Sequence, residues 1–177
     1  ACVAELAERI RAAAAARTPL RIRGGGTKDF YGNPPRGEPL STAALRGVVA
    51  YEPSELVVTV RAGTPLAELE SLLASRDQML AFEPPHFGPG ATVGGCVAAG
   101  LAGPRRASAG VAYGGVRDHV LGVRLLDGRG RVLSFGGTVM KNVAGYDVAR
   151  ALAGSLGVLG VLLELSLKVL PRPAVET

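Results

Sequence analysis

Tryptophan is absent, and the four tyrosines and four phenylalanines make up only 5% of the 177 residues. A chain so poor in flat rings does not build the base-stacking platforms of single-strand nucleic-acid binders. Cysteine is as scarce. Cys2 and Cys96 are too few for a disulfide framework and sit in no metal-ligand spacing, so a reducing, cytoplasmic compartment is expected. The two histidines, His86 and His119, have no ligand-forming neighbours in sequence, so no metal site is expected and both are read as structural or surface residues. No apolar run reaches the ~18 to 20 residues of a membrane span. The longest, Val158 to Val169, is interrupted by Glu164 and Lys168, so the chain is not expected to be transmembrane.

Several motifs are missing as well. There is no G-x-x-x-x-G-K-S/T, which removes the P-loop nucleotidases. Gly128-Arg129-Gly130 does not continue to G-x-G-x-x-G and follows a turn rather than opening a helix, which removes a Rossmann site. Ala153-Gly154-Ser155-Leu156-Gly157 mimics a nucleophile elbow, but Ala153 replaces the first glycine and His119 precedes Ser155 in chain order. The net charge of +5 suits a nucleotide as well as a nucleic acid. Its cations are scattered, and a nucleic-acid role would need Arg105, Arg106, Arg117 and Arg124 to form one exposed stripe, so no nucleic acid is expected as a partner.

Glycine is what the chain has in excess: 25 residues, roughly double the usual ~7% share. Around it the coarse elements can be read. The Ala, Leu, Glu and Arg of Val3 to Arg17, with Glu5, Glu8, Arg9 and Arg11 spaced along them, predict an amphipathic helix rather than a signal peptide. Strands are predicted at Leu20 to Arg23, Val48 to Tyr51 and Leu56 to Arg61, and a helix from Thr64-Pro65 to near Arg76 with Leu66, Leu69, Leu72 and Leu73 as its buried stripe. Val120 to Leu126 and Arg131 to Phe135 read as a hairpin turned by Asp127-Gly128-Arg129-Gly130. A short helix at Asp147 to Leu152 and a long strand or strand pair at Val158 to Leu170 follow. The fold class is α+β with antiparallel pairing.

Three glycine clusters carry the chemistry. Arg23-Gly24-Gly25-Gly26-Thr27-Lys28 follows a strand; successive glycine N–H groups can turn toward one anion where no Cβ blocks the approach. The segment Pro84 to Gly115 holds 9 glycines and 4 prolines in 32 residues, and within it Thr92 predicts a helix N-cap whose following amides offer a place for phosphate or a flat ring. The bland alternative is that Gly94-Gly95 lets two elements pack closely. The third cluster is Lys141 to Asp147 followed by Gly154-Ser155-Leu156-Gly157-Val158-Leu159-Gly160.

In this order the landmarks resemble the FAD-binding domain of the vanillyl-alcohol oxidase and p-cresol methylhydroxylase (PCMH) superfamily. They are Arg23 to Thr27, Ala91-Thr92-Val93-Gly94-Gly95, Tyr113-Gly114 with Asp118, Asp127-Gly128, Gly145-Tyr146-Asp147 and Gly154 to Gly160. Gly103-Pro104-Arg105-Arg106 and Lys141 to Asp147 are similar to the branch formed by FAD-binding subunits of bacterial glycolate oxidase. The resemblance implies a two-lobed PCMH-type domain, with a small N-terminal lobe over about 1–85 and a larger lobe over about 86–170. It implies FAD as cofactor, cradled at its pyrophosphate by Arg23, Gly24, Gly25, Gly26 and Thr27. The rest would be lined by Gly90, Ala91, Thr92, Gly94, Gly95, Gly100, Gly103, Tyr113 and Gly114, with Gly160 and Val161 near the adenine. Relatives that tether flavin often place His where Thr27 stands, so a non-covalent FAD is expected. Leu156 stands where the family commonly has Glu, removing one polar contact. A cap domain is expected to be absent, and catalytic residues to lie outside the chain. The implied role is the FAD-binding subunit of a 2-hydroxy-acid (glycolate) oxidase complex. Its partners would be a paralogous flavoprotein subunit and an iron–sulfur subunit, at the inner face of the membrane. The alternative is a degenerate structural subunit of the same complex that binds FAD weakly or not at all.

Overall fold

The computed structural model describes residues 2–107, 113–138 and 146–174. Helix α1 (Val3–Ala16) leads into strand β1 (Leu20–Arg23), which pairs in parallel with β2 (Glu38–Ser41). The main sheet has five antiparallel strands: β3 (Val48–Glu52), β4 (Val57–Arg61), β6 (Val120–Leu126), β7 (Val132–Gly136) and β8 (Val161–Lys168), in the order β3-β4-β8-β6-β7. Between β4 and β6 lie helix α2 (Leu66–Ala74), β5 (Gln78–Met79), helix α3 (Val93–Ala99) and the one-turn helix α4 (Val116–His119). The one-turn α5 (Val148–Ala151) precedes β8, and β9 (Leu170–Pro171) closes on β5.

The sheet is covered on both faces, and its central strand β8 is accordingly buried along most of its length. Leu66, Leu69 and Leu73 of α2 and Val93 and Val97 of α3 pack with Leu165 and Leu167 in one core. Leu6, Ala7 and Ile10 of α1 pack with Leu126, Val161 and Leu163 in the other. Alternation alone would put residues 161 to 167 of odd number on one face. A bulge intervenes: Arg124 pairs Glu164 but Leu125 pairs Leu162, and the extra residue switches the face at Leu163.

Most expected elements form. Three differences have physical causes. The β1–β2 pair is parallel, against the antiparallel expectation, and β2 escaped notice because Pro39 breaks its pattern. The last long strand starts at Val161 rather than Val158, because Gly157 and Gly160, with φ of +82° and +140°, keep the chain turning until then. The lobe boundary expected near residue 85 runs through the main sheet, since β3 and β4 on one side of it pair into a sheet with β6 to β8 on the other. No helix among the described residues is long and apolar enough to cross a membrane.

Candidate functional site

The turn after β1 is pressed flat on the segment before α3. A Cβ on Gly25 would overlap the carbonyl oxygen of Gly90, and one on Gly24 would sit 2.5 Å from Thr92 Oγ1. Gly26 adopts φ +74°, and its open side is taken by the Arg23 guanidinium, which is itself clamped by Asp29 through an Nε–Oδ2 pair of 2.8 Å. Among the described residues, the N–H groups of Gly24, Gly25, Gly26 and Thr27 have no acceptor in the protein. They border a crevice of about 120 Å³ completed by Lys28, Thr92, Gly95, Ala98 and Leu156. A row of unengaged amides beside a lysine is the donor set that an anion such as a diphosphate needs.

The helix expected after Thr92 is present, but its amides do not serve as expected. Val93 N–H donates to Thr64 O (2.9 Å), Gly94 N–H to Ala62 O (2.7 Å) and Gly95 N–H to Thr92 Oγ1 (3.2 Å). Internal acceptors therefore occupy the N-terminus of α3, whereas the amides of the loop after β1 have none among the described residues. A Cβ on Gly94 would lie 2.7 Å from that of Ala62, so this glycine sets a close approach, while Gly95 borders the crevice. Thr92→Val removes the cap acceptor and is expected to cost about 1 kcal/mol, read as a lower urea midpoint at unchanged slope.

The other described residues singled out in the sequence fall into three groups. Ala91 is buried, Gly100 closes α3 at φ +66° against Gly154, and Gly103 packs on Glu83 with its N–H bonded to Phe82 O (2.9 Å). These form scaffold behind the crevice. Gly160 and Val161 border a second, more apolar crevice of about 180 Å³ with Leu20, Leu40 and Leu126, and both crevices share Ile22. Tyr113 and Gly114 border neither; the Tyr113 carbonyl meets His119 Nε2 at 2.9 Å, and Gly114 lies against the Asp118 carboxylate. Lys141 to Gly145 and residues 108–112 lie outside the described residues. The sequence reading missed Asp29, whose carboxylate fixes Arg23, and the contact between Phe30 and Phe87; only the short spacing of Arg23 and Asp29 hinted at either.

Burial shapes the charges nearby. Lys28 is pulled below the usual lysine range by desolvation, and the Cys96 thiol is pushed up to about 12 by its own burial, so it is no nucleophile. His86 pairs with Glu70 at 2.8 Å, and no cluster of metal-ligating side chains exists among the described residues. Of the four arginines that a nucleic-acid stripe would need, Arg105 pairs with Glu83 and Arg124 with Glu164. A cavity of about 660 Å³ lies apart and is walled in part by Glu70, Glu83 and Arg105. These charges already have partners, so the glycine crevice with its unengaged donors is the better candidate.

His119 is buried against Phe82, and burial lowers its pKa, with the Tyr113 and Lys168 carbonyls and Asp118 opposing and the Lys168 charge reinforcing the shift. The unfolded chain then takes up a proton near pH 6.5 that the folded chain refuses, so stability is full above that pH and falls as pH drops through it. His119→Gln is expected to flatten this dependence in urea titrations at pH 5 and pH 8.

Residues 1–136 match the family model described as FAD binding domain. The chain is 54% identical over 168 residues to glycolate oxidase subunit GlcE of Escherichia coli strain K12, covering 95% of this chain and 47% of that protein. It is 31% identical over 160 residues to glycolate oxidase subunit GlcD of Bacillus subtilis strain 168, covering 89% and 33%. It is 33% identical over 137 residues to D-lactate dehydrogenase of Anaerostipes hadrus, covering 77% and 28%. The chain thus spans half or less of the length of these relatives. The solved structure of an alkyldihydroxyacetonephosphate synthase matches with a TM-score of 0.71 at 22% identity over 97% of this chain and 31% of that one, a likeness of fold.

Proposed function

The chain belongs to the FAD binding domain family, and on that premise we propose that it is the flavin-holding part of a glycolate oxidase subunit. The single observation that carries the reading is the row of unengaged amides at Gly24 to Thr27, held rigid by contact with Gly90. FAD fits this structure: a diphosphate has donors at Gly24, Gly25, Gly26 and Thr27, and an apolar crevice bordered by Gly160 and Val161 opens on the other side of Ile22 for the adenosine end. In this reading Arg23 orients the loop, Gly90 braces it from behind, and Thr92 and Gly95 wall the crevice. Ala91, Gly94, Gly100 and Gly103 set the packing behind it, and Tyr113 and Gly114 serve the flavin end. The two lobes become the β1–β2 pair with its glycine loop and the five-stranded sheet with α2 and α3.

FAD, when bound, supplies the acceptor for a hydride leaving the α-carbon of a 2-hydroxy acid. This chain's own share is to bind and orient: its loop amides fix the diphosphate, and the packed scaffold behind them prevents the loop from relaxing. The 54% identity to a protein named as a glycolate oxidase subunit supports glycolate as the substrate class. The names of the two subunit relatives support assembly with a paralogous flavoprotein subunit. An iron–sulfur subunit as electron acceptor, and a cytoplasmic location at the inner membrane face through these partners, complete the proposal. Thr27 is not a flavin-tethering residue, so the cofactor is dissociable.

The test is to purify the chain, record its visible absorption, denature it and chromatograph what is released. A yellow protein that releases intact FAD is the expected result. A colourless protein that takes up no added FAD would overturn the reading and leave a structural subunit in its place.

A further inference from the structure

We propose that Lys28 is the counter-charge for the cofactor's diphosphate, and that Phe87, braced by Phe30, is the platform that holds its ammonium over the crevice. This rests on the FAD reading above and names a charge that the reading lacks. Two cations border the crevice, Arg23 and Lys28. Arg23 is not free for an anion, because its Nε is bonded to Asp29 and its guanidinium fills the open side of Gly26.

Lys28 is differently placed. None of the ion pairs or hydrogen bonds among the described residues involves its Nζ, which instead lies 5.6 Å from the centroid of the Phe87 ring. Burial lowers its pKa, so the crevice is bordered by a partly desolvated cation with no partner anion among the described residues, and a diphosphate would supply one. Phe87 belongs to neither hydrophobic core. It is 52% exposed and adopts φ +55°, a left-handed conformation that crowds the Cβ of any residue but glycine. What that conformation achieves is to set its ring edge-to-face with Phe30, at 5.1 Å and 73°, and beneath Lys28. An exposed aromatic held in a costly backbone state against a lysine that borders the crevice is strain with a positional use.

The experiment measures FAD affinity by flavin fluorescence quenching across a salt series for the unmodified chain, Lys28→Met, Lys28→Arg, Phe87→Ala and the Lys28→Met/Phe87→Ala double variant. Lys28→Met is expected to weaken FAD about tenfold to a hundredfold, the range of one charge-assisted hydrogen bond, and to flatten the salt dependence. Lys28→Arg restores most of both. Phe87→Ala weakens binding less and adds nothing in the Lys28→Met background, since it acts through the same charge. Unchanged affinity and salt slope in Lys28→Met, with FAD bound normally by the parent chain, overturns the inference and leaves the FAD reading standing. If the parent chain takes up no FAD, the FAD reading fails by itself. Lys28 is then judged by acetylation with and without inorganic pyrophosphate, followed by peptide mass spectrometry. Selective protection of Lys28 by pyrophosphate sustains the anion site, and absence of protection overturns it.

Discussion

Gly25→Ala is expected to yield a chain that folds but no longer retains FAD. A methyl group at residue 25 would overlap the carbonyl of Gly90, and both partners are backbone, so no rotamer change relieves the collision. The loop must lift off the segment before α3 by more than an ångström. Donor and acceptor must meet within 2.7 to 3.2 Å, so the amides of Gly24, Gly25 and Gly26 cannot all reach one diphosphate after such a shift. Two lost charge-assisted bonds correspond to a fall in affinity of at least about a hundredfold. The same displacement destabilises the fold by about 1 to 3 kcal/mol, the usual range for overpacking. Fluorescence quenching for FAD and urea unfolding for stability check the two parts separately. Gly137→Ala is the control, because nothing lies within 4 Å of a Cβ there and it borders neither crevice; its FAD affinity should match that of the parent chain. A Gly25→Ala chain that retains FAD at parental affinity would exclude the loop from the site.

The largest stability effect is expected from Phe82→Ala, at about 3 to 5 kcal/mol. Phe82 is 1% exposed, lies in the core beneath α2 and α3, and packs its ring 5.3 Å from that of His119. Removing it leaves a cavity that the rigid helices on either side cannot close, and its backbone carbonyl, which accepts from Gly103, moves with it. The urea midpoint should fall sharply with little change of slope. Phe82→Leu, which keeps much of the volume, should cost less than half as much. Comparable losses from the two variants would show that ring shape, not buried volume, is what Phe82 supplies.

A glycine and its neighbours announce a site earlier than they announce a strand. The order of the clusters Arg23 to Thr27, Ala91 to Gly95 and Gly154 to Gly160 led to the family. The periodicities of Val3 to Ala16, Leu66 to Ala74 and Val120 to Gly136 gave helix, helix and hairpin, because the spacing of apolar residues and turn residues that defines each lies within the segment itself. The parallel partner of β1 was not legible, since a four-residue strand containing proline carries too little pattern to be recognised. Nor was the continuity of the main sheet across residue 85, because pairing between β4 and β8 joins segments about a hundred residues apart.

Within the site, residue types alone put glycines where no Cβ can stand and a threonine where a helix begins. Which amides remain free was decided by tertiary contacts. Thr64 and Ala62 take the N–H groups at the start of α3, while the loop after β1 finds no acceptors, so the donors sit at Gly24 to Thr27 and not where the helix pointed. The same holds for charge. Arg23 and Lys28 are both cations flanking one glycine loop, and only the placement of Asp29 and Phe87 around them separates a clamped guanidinium from an ammonium set over an aromatic ring. Composition and local pattern fix what each residue is able to do. Hydrogen-bond capacity and charge are used up by contacts across the fold, and those contacts decide which of these abilities are left for a ligand.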